Sequence, residues 1–143
     1  MATIYRCFHE SMATGAIDLE SDTNIYAVLV SGSYVPNTTS DTSYATHVAG
    51  HESVDGNGSY SAGGYLVTGT EVTADGSETK FDAPDITISN TSMTASGVVL
   101  YYSGMADNNL ICHLAFGSEA TSSNGDFSVA WAATGILRFR QGA

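Results

Sequence analysis

The segment His47-Val48-Ala49-Gly50-His51-Glu52 holds the side chains whose types and spacing come nearest to a working site. On a helix, two imidazoles four residues apart share one face, about the spacing at which both reach one metal ion. A hydrolytic zinc site of the familiar kind places Glu directly after the first His, where this chain has Val48, and Gly50 weakens the helix that would hold the ligands. The segment therefore reads as two surface histidines in a long loop, and neither a metal nor another cofactor is expected. Asp55-Gly56-Asn57-Gly58-Ser59 sets acceptors at alternate positions, as a calcium loop does, but Leu66 stands where the closing bidentate acid belongs. Asp-Gly and Asn-Gly pairs are the ordinary residues of tight hairpin turns, and the turn is expected. The run Ser59-Tyr60-Ser61-Ala62-Gly63-Gly64 lacks the Gly-Lys-Ser/Thr ending of a phosphate-cradling loop. Gly63-Gly64 fits a kink or a close backbone approach at a strand start.

Nucleophilic chemistry has little to start from. The chain has no Gly-x-Ser-x-Gly elbow, and Cys7 falls on the apolar side of a predicted helix, where a thiol has no reason to ionise. Its acids sit mostly in turns, whereas an acid–base pair needs two unequal, desolvated environments. His9 and His113 read as packing or solvent-facing residues. No catalytic residue is assigned, and a non-enzymatic protein is expected. Aromatic side chains offer another possibility, a sugar-binding surface. Trp131 alternates with Phe127 and Val129 and belongs to the core, which leaves Tyr34, Tyr60 and Tyr65 as candidates for exposed contacts.

The elements that would position these residues are mostly strands. Ile4, Phe8 and Met12 recur at helical spacing with Tyr5 beside them, predicting a short amphipathic helix over 3–14 with Thr3 as N-cap and Gly15 as its stop. Residues 24–30 are apolar on both faces, with Ile25, Ala27 and Leu29 on one side and Tyr26, Val28 and Val30 on the other, which predicts a central strand. Residues 31–41 are loop, and 44–52 could form a helical turn or two. From Asp55 onward, Gly/Asn/Asp turns alternate with short runs. Tyr65, Val67 and Val72 are assigned to one strand. Phe81 and Ala83 lead into the strand-ending Pro84, and Ile86 and Ile88 alternate with Thr87. Residues 98–102 are apolar throughout. Leu110, Cys112, Leu114 and Phe116 are assigned to one face, as are Phe127, Val129 and Trp131, and Leu137 and Phe139 oppose Arg138 and Arg140. This pattern predicts a mainly β fold, an antiparallel β-sandwich or barrel with a short N-terminal α-helix, as one domain over residues 1–143.

Charge narrows the choice of partner. Fifteen acids face four Lys and Arg in 143 residues, a formal net charge of −11. Nucleic-acid binding draws most of its affinity from cations, and attraction to anionic lipid does too, so neither partner is expected. A basic protein surface is the natural complement. Cys7 and Cys112 match no metal or redox spacing. The first residues carry no basic flank or long apolar run, so no export signal is expected and the thiols are expected to be reduced.

Several stretches have a familiar character. Val28-Leu29-Val30-Ser31 with Tyr34-Val35-Pro36-Asn37, Gly58-Ser59-Tyr60-Ser61-Ala62-Gly63-Gly64, and Phe81-Asp82-Ala83-Pro84-Asp85-Ile86-Thr87 are three of them. Leu110-Ile111 through Phe116-Gly117, and Asn124 through Trp131 with Gly135-Ile136, are two more. Together they resemble a family of small virion structural proteins of tailed bacteriophages. The resemblance implies a particle component without a catalytic signature. With the charge, it points to a capsid decoration (cement) protein on the outside of the head. Its expected partners are the major capsid protein and copies of itself, a trimer among the fitting oligomers. The alternatives are a neck or tail component, adaptor or tail-tube related, and a carbohydrate-binding or adhesin module. The N-terminal helix and the loop over 31–59 are the expected contact elements, with Tyr5, Phe8, Tyr34, Val35, Tyr44, His47 and Tyr60 as interface residues.

Overall fold

Ten strands and one α-helix lie among residues 2–140, which the computed structural model describes. Strand β2 (Ile25–Val30) has no polar residue because both of its faces are covered. It pairs antiparallel with β7 (Thr94–Tyr102), from Ile25 opposite Tyr102 to Val30 opposite Gly97. Strand β7 in turn pairs with β8 (Asn109–Thr121). Two-residue strands close the edges of this sheet, β1 (Thr3–Ile4) beside β8 and β3 (Tyr65–Leu66) beside β2. The fold is mainly β, antiparallel and sandwich-like, with a short N-terminal helix, as the sequence predicts.

The five-stranded sheet separates two cores. On its inner face, Ile25, Ala27, Leu29, Val98, Leu100 and Cys112 pack against two small sheets. One pairs β6 (Ile86–Thr91) with β9 (Gly125–Val129). The other orders β10 (Leu137–Arg140), β5 (Glu78–Asp82) and β4 (Glu71–Asp75). Trp131 lies in this core as its spacing predicts, its indole N–H donating to the Pro84 carbonyl at 3.0 Å. On the outer face, Val28, Val30, Val99, Tyr101 and Leu110 are covered by Tyr5, Cys7, Tyr34 and Val48. Tyr5 and Cys7 come from the start of the helix, and Tyr34 and Val48 from the segment that follows β2.

Three local features depart from expectation. The helix α1 is Arg6–Ala13, shorter at its start than predicted, because Thr3 and Ile4 pair with His113 and Cys112 as β1. Tyr5 rather than Thr3 holds the N-cap position and offers no capping side chain, while Gly15 follows the helix end at φ +74°. Leu110 does not share a face with Cys112, Leu114 and Phe116. Leu100 pairs with Cys112 and Tyr101 with Leu110, so Ile111 is an extra residue in β8. This bulge turns Leu110 into the outer core and leaves Cys112 in the inner one. Finally, Tyr65 and Val72 lie on separate strands, β3 and β4, with Gly69 at φ +69° between them.

Gly64 shows the close approach that Gly63-Gly64 suggested. It sits at φ +97°, and a Cβ there would stand 2.8 Å from the Ala27 carbonyl oxygen and 3.0 Å from Val28 Cγ2. Gly58 also has positive φ, +76°, but faces open space. Gly58→Ala is expected to cost about 1 kcal/mol from conformation alone. Gly64→Ala adds overpacking of roughly 1–3 kcal/mol to that strain. Urea denaturation of the two variants checks the difference, with Gly64→Ala the less stable.

Candidate functional site

Residues 31–64, between β2 and β3, form the longest connection among the described residues. A connection of this length without strands of its own is uncommon in a compact domain. Here it is ordered, and its order comes from carboxylates that collect backbone and phenolic donors.

Asp41, itself buried, accepts from the Asn37 backbone N–H at 2.9 Å and from the Tyr34 hydroxyl at 3.2 Å. The Tyr34 hydroxyl also lies 2.6 Å from that of Tyr5. The Tyr34 ring packs between the rings of His51 and His113. Further along, Ser43 caps the wide π turn Tyr44–Val48 by accepting from the Thr46 N–H at 3.2 Å. His47 Nδ1 accepts from the backbone N–H groups of Thr42 and Ser43. A 3₁₀ turn, Ala49–His51, follows.

Glu52 is the central acceptor. Its carboxylate takes the hydroxyl of Tyr44 at 2.5 Å, the hydroxyl of Tyr60 at 2.7 Å and the Gly63 N–H at 3.1 Å. The Tyr60 oxygen in turn accepts from the Leu29 N–H at 3.0 Å, which ties the loop to β2. Tyr44 stacks on Tyr101 at 4.8 Å, and Tyr101 stacks on Tyr26 at 5.6 Å. The Tyr101 hydroxyl donates to the Gly63 carbonyl at 2.6 Å. Burial raises the phenol pKa values of Tyr34 and Tyr101 to about 12 and those of Tyr5, Tyr44 and Tyr60 further, so all five remain protonated donors.

Asp55 organises the turn predicted from Asp-Gly-Asn-Gly. It accepts from the backbone N–H groups of Ser92 at 2.7 Å, Tyr60 at 2.9 Å and Asn57 at 3.0 Å. These donors, the Ser92 N–H foremost, hold its pKa below the ordinary carboxylate value. The turn is thereby tied to the start of β7, two sequence regions away.

The sequence-predicted contact residues divide sharply. Tyr5 and Phe8 are fully buried, and Tyr34 and Tyr60 are nearly so, which removes all four from any outward-facing surface. Their apolar rings fill the cores, and the three hydroxyls among them satisfy internal acceptors. Tyr44 and His47 are half-buried and support the loop from within. Val35 is 80% exposed. His47 and His51 do not share a helical face, because a π turn and a 3₁₀ turn replace the helix. Each uses its Nδ1 locally, His51 with the Ser33 hydroxyl at 3.0 Å. Among the described residues no group of three His, Cys, Asp or Glu side chains could hold a metal ion. Cys7 and Cys112 are buried free thiols, and burial pushes the Cys112 thiol up to about 12 and the Cys7 thiol up as well.

Sequence reasoning missed Val54, which is 83% exposed, and the organising roles of Asp41, Glu52 and Asp55. For Asp55 a signal existed, since Asp at the head of a Gly/Asn turn commonly accepts from the backbone two residues on. Val54 carries no such signal. No helix among the described residues is long and apolar enough to cross a membrane. No family model, curated protein or solved structure matches the chain.

Two predictions come from this network. Glu52→Ala leaves two phenols and the Gly63 N–H without their acceptor and is expected to cost roughly 1–3 kcal/mol, read from urea denaturation. The pH dependence has two parts. Folding lowers the Asp55 pKa, so on acidification the unfolded chain takes up that proton first. Its stabilisation is complete above about 3.9 and is lost as pH falls through the lower folded value. Burial likewise lowers the His113 pKa, so stability declines as pH drops below about 6.5 toward that group's folded value. Urea midpoints measured against pH should lose the acid limb in Asp55→Asn and the step nearer neutrality in His113→Gln.

Proposed function

We propose that this chain is a non-enzymatic virion structural protein that decorates the outer surface of a tailed-phage head and stabilises the shell. One observation carries the reading. All three exposed large hydrophobics among the described residues, Val35, Val54 and Tyr65, lie on the 31–64 connection or immediately after it. Scattered exposed apolar residues are ordinary on a protein surface. Two of them stand on one long connection held in order by carboxylates and the third begins the strand that follows, and an ordered, apolar-bearing segment of this kind is suited to docking. The formal charge of −11 suits a basic partner surface and opposes residence among packed DNA phosphates. The resemblance of the core and turn motifs to small phage virion proteins points the same way. Binding that occurs only on the assembled lattice would stabilise the shell by mass action, with the major capsid protein as partner. Copies meeting around symmetric lattice sites would favour a small homo-oligomer such as a trimer.

Purified heads lacking the chain, incubated with it and imaged by electron cryomicroscopy, test the reading. Density on the head exterior is expected, on the order of hundreds of copies per particle. Density confined to the neck or tail, at about a dozen copies or fewer, would replace it with the neck or tail alternative. The double variant Val35→Glu, Val54→Glu should stay folded and bind heads at least about tenfold more weakly. Unchanged binding by that variant would remove the 31–64 face from the interface.

A further inference from the structure

Asn57-Gly58 and Asn124-Gly125 are the chain's only Asn-Gly pairs, and both asparagines are exposed. Such a pair carries a chemistry of its own. The glycine's backbone nitrogen can attack the side-chain amide carbon of the asparagine, because glycine has no Cβ to obstruct the approach. Neither pair has a part in the docking function proposed above.

The fold brings the two pairs together although they lie 67 residues apart, and Asn57 Nδ2 donates to Asn124 Oδ1 at 3.0 Å. The same amide group donates toward the Asn90 backbone carbonyl at 3.2 Å and Asn90 Oδ1 at 3.3 Å. The Asn124 backbone N–H is bound to Ser92 Oγ at 2.9 Å, and the residue stands at φ +50°. The two asparagines are held unequally. The backbone N–H of Asn57 donates to Asp55 Oδ1 at 3.0 Å. Its would-be attacking group, the Gly58 N–H, is bound to the Asp55 carbonyl at 3.2 Å. Its side-chain amide acts only as a donor, and among the described residues no protein donor reaches its Oδ1. Asn124 is instead the acceptor. When a nitrogen adds to an amide carbon, negative charge collects on the amide oxygen, and a donor already aimed at that oxygen stabilises it. Asn57 Nδ2 is such a donor for Asn124 Oδ1.

We propose that Asn124 is a self-modifying position that converts to aspartate and isoaspartate through a cyclic imide, with the Asn57 amide as the donor that assists ring closure. Hydroxide takes the Gly125 N–H proton, and the nitrogen forms a bond to Asn124 Cγ. The Cγ–Nδ2 bond then breaks, and its nitrogen leaves as ammonia with a proton from water. Water opens the ring. Cleavage between Cγ and the Gly125 nitrogen gives aspartate. Cleavage between that nitrogen and the Asn124 backbone carbonyl carbon gives isoaspartate, whose main chain is one carbon longer just before Gly125 pairs with Thr91. The balance is amide plus water to acid plus ammonia. In the aspartate form the new carboxylate still accepts from Asn57 Nδ2, now in a charge-assisted bond. That form therefore keeps the link between the two turns and adds a negative charge to it.

The test holds the folded chain in mildly alkaline buffer, samples it over time and maps the digested peptides by mass spectrometry, with aspartyl and isoaspartyl forms separated. Conversion at 124 is expected to outpace conversion at 57 by at least about threefold, the worth of one exposed hydrogen bond. In urea the two pairs should convert alike. Asn57→Ala and Asn57→Asp each remove the donor and are expected to slow conversion at 124 in the folded chain about threefold. The sign decides the role of Asn57. A residue that merely tied the turns together would, when replaced, loosen the turn at 124 and speed ring closure. Unchanged or faster conversion at 124 in either variant overturns the assignment. So does conversion at 57 ahead of 124, or a folded chain that stays intact at 124 while the unfolded chain converts. Head binding enters none of these readouts, so the outcome is independent of the decoration reading.

Discussion

A β-sheet that is apolar on both faces must be covered on both, and the structure follows from how unequally this chain does so. The inner face receives two small sheets, whose backbone groups pair within themselves. The outer face receives the start of α1 and a connection with almost no regular structure. Irregular backbone brought against an apolar surface leaves N–H groups without ladder partners, and those must be met another way. Asp41, Glu52 and Asp55 meet them. Asp41 and Glu52 gather donors from within the segment and Asp55 reaches the Ser92 N–H beyond it, so the covering segment has the definition of a folded element without being one.

The same solution shapes the surface. A carboxylate that collects neutral donors is satisfied in hydrogen bonding but not in charge, since none of its partners is cationic. With four Lys and Arg in the chain, three of them engaged on β5 and β10, few cations are available for the outer-face network. Internal order and external negative potential therefore have one origin on this side of the molecule. The tyrosines complete it, supplying bulk to the cores and donors to the acids, which explains why residues with the composition of a binding platform lie inside.

The strands were legible because burial imposes a period on sequence. The two-faced runs at 25–30 and 98–102 occupy adjacent strands with the faces their alternation assigns. Trp131 was legible for the same reason. The limits are equally physical. Ile111 looks like any other apolar strand residue, and only the register against β7 reveals it as the insertion that turns Leu110 over. Tyr34 and Tyr60 sit among Ser, Gly and Asn, a context that reads as exposed surface. Their hydroxyls are met by Asp41 and Glu52, seven and eight residues away in the same connection, a spacing that matches no regular element and so leaves no pattern to read. Val35 stood out beside Pro36, whereas Val54 is flanked by Ser53 and Asp55 in a segment with no period to betray its direction.

The two-residue strands at the margins of the five-stranded sheet carry a consequence for crowding. Long open margins let identical chains zip together through their main chains, and such stacking ends in fibrils. The two-residue β3 offers too little template for that, but β1 covers only Cys112 and His113 of β8, so residues 114–121 have no strand partner on that side among the described residues. Copies of this chain packed side by side at very high local density would meet at the β3 margin through side chains, whereas the uncovered end of β8 is where main-chain pairing between neighbours has room to start.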